Sequence, residues 1–195
     1  MSGVRLVLLG RQGAGKGTQA ERLSAHYGAP HISTGDMLRA AVAEGTDFGR
    51  KAEEIMSRGD LVPDDVIVGV VDERLQKDDV AAGGFLLDGF PRTVAQAEAL
   101  AELVEPDGLH AVVNIDVPLD EVRARMKARG RADDTDEAID RRLELYEQET
   151  SPLIDFYTER GLMVHVDGLG TMDEVFDRLV AAIDARVAGG AGAQS

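Results

Sequence analysis

"GRQGAGKGT", Gly10 to Thr18, follows directly on the apolar run Val4 to Leu9. A flexible strand-to-helix turn would explain the four glycines, but it would not call for a lysine at this offset. Gly10, four residues, Gly15 and Lys16 form the start of a P-loop. Glycines let successive backbone N–H groups turn inward around phosphate oxygens, the following helix adds its positive N-terminal end, and Lys16 supplies a mobile full charge. All of these favour a polyanion. The Ser or Thr usual after the lysine is absent, since Gly17 stands there and Thr18 comes next. A dinucleotide-binding reading competes, because Gly13 and Gly15 begin G-x-G-x-x-G and Asp36 lies about twenty residues on. Against it, Thr18 takes the third glycine's place and Asp36 sits at a helix start instead of a strand end.

Outward from this loop, short runs rich in Val, Ile and Leu read as buried strands: Val4 to Leu9, Pro30 to Ser33, Phe85 to Asp88, Val112 to Val117 and Met163 to Asp167. They lack clean alternation, as parallel strands covered on both faces do. Amphipathic stretches lie between them. The expected fold is α/β of the P-loop NTPase type, three layers with a five-stranded parallel sheet flanked by helices. Helical patterns over Asp36 to Glu44, Phe48 to Arg58 and Asp64 to Gln76 occupy the long interval between the second and third strands, so part of it reads as an inserted subdomain. "ARGRADDTD", Ala128 to Asp136, reads as a mobile flap or as a solvated helix connection. The ending "AGGAGAQS", from residue 188 to 195, is expected to be disordered.

The 195 residues suit one domain, with subdomains at 33–62 and 128–134. With no cysteine there is no disulfide framework and no thiolate zinc site. Val4 to Leu9 is too short for a signal segment and no run is long enough to span a bilayer, so the expected setting is cytoplasmic, without membrane. A formal net charge of −15 opposes binding to nucleic acid or an anionic surface. Any phosphate ligand must then be held by a local concentration of cations. His26, His31, His110 and His165 are scattered and read as core or surface residues. No exposed apolar stripe stands out, which suggests a monomer.

Three further stretches narrow the chemistry: "STGDMLR" (Ser33 to Arg39), "DGFPRTVAQ" (Asp88 to Gln96) and "RARMKARGRADD" (Arg123 to Asp134). Ser33 with Asp36 fits a helix cap, which leaves Arg39 over. Gly89 and Pro91 make a tight turn that carries Arg92, and two such arginines could clamp a second phosphate. Asp88 ends a strand, the position from which P-loop enzymes organise Mg2+, often through water. Arg125 and Arg129 share a helix face and Arg131 follows Gly130; an exposed basic patch reads equally well from spacing alone. Arg142 borders the apolar stripe of Ile139, Leu143 and Tyr146, whereas Arg141 points away.

In order and at these distances, the loop and the three stretches resemble the adenylate kinase family, which moves a phosphoryl group between ATP and AMP, over nearly the whole chain. The resemblance implies ATP binding by Gly13, Ala14, Gly15, Lys16, Gly17, Thr18, Arg125, Arg129 and Gly170. It implies AMP binding by Thr34, Gly35, Arg39 and Gln96, by the backbone of Asp60, Leu61 and Val62, by Gly89, Phe90, Pro91 and Arg92, and by Arg131 and Arg142. Lys16, Arg92, Arg129, Arg131 and Arg142 would be catalytic, with Mg2+ held near Asp88 and ADP as the product. Gln12 stands where the family commonly has proline, which implies a less rigid cradle. The flap is of the short kind, without a zinc-binding ribbon.

An AMP phosphate oxygen is already anionic near neutrality, because a phosphomonoester's second pKa is about 6. The resemblance therefore implies catalysis by alignment and charge neutralisation, with no general base, and closure of 33–62 and 128–134 to exclude water. A UMP/CMP kinase is the nearest rival; Thr34 and Gln96 favour adenine, since that family resembles Ala and Asn there. A nucleotide-binding regulator would have lost the arginines, and a small-metabolite kinase would lack the paired "TGDMLR" and "GFPRTVAQ".

Overall fold

In the computed structural model, which describes residues 3–45 and 47–191, the apolar runs become five parallel strands. They are β1 (Arg5–Leu9), β2 (His31–Ser33), β3 (Phe85–Asp88), β4 (Ala111–Asp116) and β5 (Met163–Asp167), in the order β2-β3-β1-β4-β5. Successive side chains of a strand point to opposite faces, and here each face meets helices. Leu6, Leu8, Val113 and Ile115 pack with α1 (Lys16–Tyr27), α7 (Leu119–Arg129) and α10 (Met172–Ala191) through Leu23, Met126, Leu179 and Ile183. Val7, Leu9, Ile32 and Leu87 pack on the other side with α2 (Thr34–Ala43), α4 (Asp64–Leu75), α6 (Val94–Leu103) and α9 (Pro152–Glu159) through Leu38, Val71, Leu100 and Leu153. Both residue sets are apolar because both are buried, which explains the missing polar alternation. At roughly 1.5–3 kcal/mol for each fully buried aliphatic side chain, these two layers supply the main driving force for folding.

The order of the strands positions the site. From β1 the chain crosses over to β2, returns to β3 beside β1, and then crosses to β4 on the other side of β1. Connections therefore diverge at the carboxyl end of β1, where open α/β sheets form a ligand crevice. Gly10, Ser33, Asp88 and Asp116 all lie at or just past the carboxyl ends of adjacent strands.

Between β2 and β3 lie α2, α3 (Asp47–Ser57), α4 and α5 (Asp78–Gly83). The sequence pattern indicates the first three; α5 has six residues, too few for a helical period to register. Three helices start on side-chain caps of one kind: Ser33 accepts from the Asp36 N–H at α2, and Thr93 and Thr135 cap α6 and α8 (Asp136–Leu145) in the same way. Gly130 closes α7 in a left-handed conformation, and the connection to α8 is short. A π-helical turn, Tyr146–Thr150, joins α8 to α9.

Residues 188–191 form the last turn of α10, which follows from Val187 packing on the core and from the ease of extending a formed helix. Residues 192–195 lie outside the described residues. Among the described residues, no helix is long and apolar enough to cross a membrane.

Candidate active site

The glycine loop packs tightly against the start of the flap-bearing helix. Gly13 adopts φ 89°, and a Cβ there would lie 2.7 Å from the Val122 carbonyl oxygen and 2.8 Å from Met126 Cγ. Any side chain would lift the loop off α7. Gly15 begins α1 without a side-chain cap, so the first-turn N–H groups remain available to an anion. Lys16 Nζ donates to the carbonyls of Gly10 (2.8 Å) and Arg11 (3.1 Å), folded back over the loop it serves. Desolvation pulls its pKa down to about 8; Asp88 opposes this, while Arg92, Arg129 and Arg131 reinforce it.

Asp88 is buried at the end of β3, its Oδ2 facing Gly17 of the loop. Burial alone would raise its pKa, but His31, Lys16 and Arg92 outweigh that and hold the carboxyl ionised below the usual range. The turn after it is formed as tightly as the P-loop: Gly89 has φ 84°, and a Cβ would sit 2.7 Å from Thr34 Oγ1. Thr34 Oγ1 donates to the Gly89 carbonyl (2.9 Å) and Arg92 Nε donates to the same oxygen (2.8 Å). Thr150 Oγ1 donates to the Arg92 carbonyl (2.7 Å), tying the turn to the end of the π-helical segment. Gln96 accepts from the Arg92 N–H (2.7 Å) and donates to Asp64 (2.7 Å).

The remaining arginines come from four segments. Arg39 of α2 pairs with Asp36. Arg125 of α7 pairs with Glu121 (2.7 Å), and its Nη1 and Nη2 approach the carbonyls of Ala14 and Gly168 at 3.5 and 3.4 Å. Arg129 makes a two-pronged contact with Asp134 (2.9 and 2.8 Å), whose side chain is 1% exposed. The Arg131 N–H donates to the same carboxylate (3.2 Å), and so does Arg142 Nη1 (2.9 Å). Arg142 also pairs with Asp133 and donates to the Met56 carbonyl (3.2 Å), joining the α7–α8 connection to α3. Arg141, on the outward side of α8, pairs with Asp60 (3.0 Å).

These groups line a cleft of about 430 Å³ that brings together Lys16, Arg39, Arg92, Arg125, Arg129, Arg131 and Arg142, against only Glu21, Asp36 and Asp88 among the acids of the described residues. That reverses the balance of a chain with 36 acids to 21 Lys and Arg. Desolvation first, and repulsion from neighbouring arginines second, lower the pKa of Arg131; for Arg92 desolvation likewise leads, partly opposed by Asp88. Such a cleft is stabilised by an anion. A narrower slot opens beside it, lined by Leu38, Met56, Leu61, Val62, Ile67 and Gln96 and bordered by Arg39, Arg92 and Arg142.

Not every residue singled out in the sequence faces the cleft. Phe90 is fully buried in the core, and Ala14 also packs there, so these two have only backbone to offer. Asp60 directs its side chain to Arg58 and Arg141. Gly170, with φ 113°, stands beside Glu174 and Arg178, away from the cleft lining. Three partners were not legible beforehand. His31 Nε2 lies 3.5 Å from Asp88 Oδ2, a neighbour created by pairing of β2 with β3. Asp64 reaches Gln96 from another helix, and Asp134 gathers the flap. Only the last had a local signal, an acidic pair inside a basic run.

Among the described residues, no group of three or more His, Asp or Glu is arranged to hold a metal ion. Mg2+ requires less, since it is commonly held by one or two carboxylates with substrate phosphates and water. The ionised Asp88 beside the P-loop fits that need.

A family model described as adenylate kinase matches residues 8–162. A protein named adenylate kinase from Xanthomonas euvesicatoria pv. vesicatoria (strain 85-10) is 51% identical over 186 residues, covering 92% of this chain and 99% of the relative. One from Stenotrophomonas maltophilia (strain K279a) is 50% identical over 188 residues, covering 93% and 100%.

Proposed function

Because the chain belongs to the adenylate kinase family, catalysing reversible transfer of a phosphoryl group from ATP to AMP to give two ADP, we propose how its cleft divides that work. The observation that carries the division is the seven-cation cleft at the switch point of an acidic protein.

ATP phosphates lie in the P-loop, on the free N–H groups of α1, with Lys16 exchanging its two loop carbonyls for phosphate oxygens. Arg125 and Arg129 flank the donor. AMP enters the neighbouring slot, its base between Leu38, Val62 and Ile67 and against Gln96, its phosphate between Arg39 and Arg92. Arg131 and Arg142 then meet the phosphoryl group in transit. Asp88 would hold Mg2+ that arrives with ATP, and the ion would supply neutralisation of phosphate charge. The acceptor oxygen needs no base, so the residues act by alignment and by fixed positive charge. Each arginine pair with Asp36, Asp133 or Asp134 keeps a cation in place before phosphate arrives.

The test uses Mg2+ and ADP alone, followed by phosphorus NMR. ATP and AMP should appear in equal amounts; unchanged ADP would overturn the assignment.

A further inference from the structure

An amide that reads a purine is selective only while it cannot turn over. Gln96 is 2% exposed and lines the slot beside Leu38, Val62 and Ile67, the buried one of its two glutamines, the other being Gln12 of the P-loop. Both ends of its amide are chemically determined. The Arg92 backbone N–H can only donate, so the atom facing it at 2.7 Å is the oxygen, Oε1. An ionised carboxylate can only accept, so the atom facing Asp64 Oδ1 at 2.7 Å is the nitrogen, Nε2. Asp64 is the first residue of α4, a different helix, and also accepts from the hydroxyl of Thr93, the residue capping α6. Its position relative to Gln96 is therefore set by helix packing and not by local chain geometry.

One N–H and one oxygen lone pair of Gln96 remain for a ligand. A 6-aminopurine presents a donor, its amino group, beside an acceptor, N1. A 6-oxopurine presents the reverse, an acceptor at O6 beside a donor at N1. A freely turning amide satisfies either edge by a half rotation. A held amide satisfies one and sets like against like on the other.

We propose that Asp64 is a specificity-determining positioning residue, which locks the Gln96 amide in the orientation that accepts a 6-aminopurine monophosphate and rejects a 6-oxopurine one. This rests on the reading of the slot as the acceptor's base site. Asp64 touches no substrate; it acts through Gln96.

The test compares kcat/KM for AMP and for IMP, which differ at the purine 6-position, at saturating MgATP in the wild type, Asp64→Asn and Gln96→Ala. A carboxamide in place of the carboxylate can donate as well as accept, which removes one of the two holds on the amide while the Arg92 N–H keeps the other, so Asp64→Asn should cut the AMP-to-IMP preference by up to about tenfold, the scale of one charged hydrogen bond, largely through a gain with IMP. Asp64→Glu should retain the preference. Should Asp64→Asn not fold, Asp64→Ser keeps an oxygen at the helix start without reaching Gln96 and should show the same loss. An unchanged preference in the Asp64→Asn or Asp64→Ser variant, with activity on the two nucleotides falling in parallel or not at all, would overturn the role of Asp64. If Gln96→Ala itself keeps the full preference, the base-site reading fails instead. A loss in Gln96→Ala with retention in Asp64→Asn rejects only the locking role.

Discussion

The P-loop side and the arginine side of the cleft are assembled in opposite ways. The P-loop is one contiguous stretch whose binding groups are mostly backbone, held in shape by glycine conformations and by contact with α7. The arginine side draws Arg39, Arg92, Arg129, Arg131 and Arg142 from several elements, and Asp36, Asp133 and Asp134 hold four of them by side chain or backbone. Backbone dipoles need no counter-charge, so the loop can stand preformed and empty. A cluster of guanidinium groups repels itself, so it needs carboxylates to keep its geometry until phosphate takes their place.

Breaking the two sides should therefore leave different signatures. The largest effect belongs to the one lysine of the loop. Lys16→Met should lower kcat by about 1,000-fold, as loss of a preorganised charge at the reacting group does, while circular dichroism and melting temperature stay close to wild type. Next comes the clamp on the other side. Asp134→Asn keeps the shape but removes the charge shared by Arg129 and Arg142, and kcat should fall about 10- to 100-fold through misplacement of both. ATP affinity measured by calorimetry should change less than turnover, because the P-loop is untouched and Arg129 alone among the proposed ATP contacts is displaced.

A pH series sharpens the same contrast. In the free protein Lys16 loses its proton near pH 8, well below the arginines. ATP favours the charged form, so the dissociation constant for ATP should be flat below pH 8 and weaken by up to about tenfold per pH unit above it, with proton uptake on binding. The sign for folding is opposite. Between pH 8 and the ordinary lysine value of 10.5 the unfolded chain holds more protons than the native one, so the Lys16 contribution to stability increases as pH rises through that window. A dissociation constant that stays the same on both sides of pH 8 would contradict the desolvated state of Lys16. The smallest effect is expected at the outward arginine of α8: Arg141→Ala removes an exposed pair with Asp60 and should leave kcat within about twofold.

Much of this architecture is written in local order. A strand, a glycine-rich loop with Lys16 and a helix follow one another within a few turns of chain, so the glycine loop, the positions of the five strands to within a residue and the cap at Ser33 can be read from neighbours in sequence. Arg142 could be told from Arg141 because helical period separates inward from outward faces, and it lies with 9% of its side chain exposed against 43%. The acidic partners are different. Asp64 meets Gln96 across 32 residues, and His31 meets Asp88 only because β2 lies beside β3. Periodicity and spacing describe how a residue faces its own element; which charges meet depends on strand order and on how the helices pack over the sheet, and it is that long-range arrangement which orients the Gln96 amide and pairs the arginines with their carboxylates.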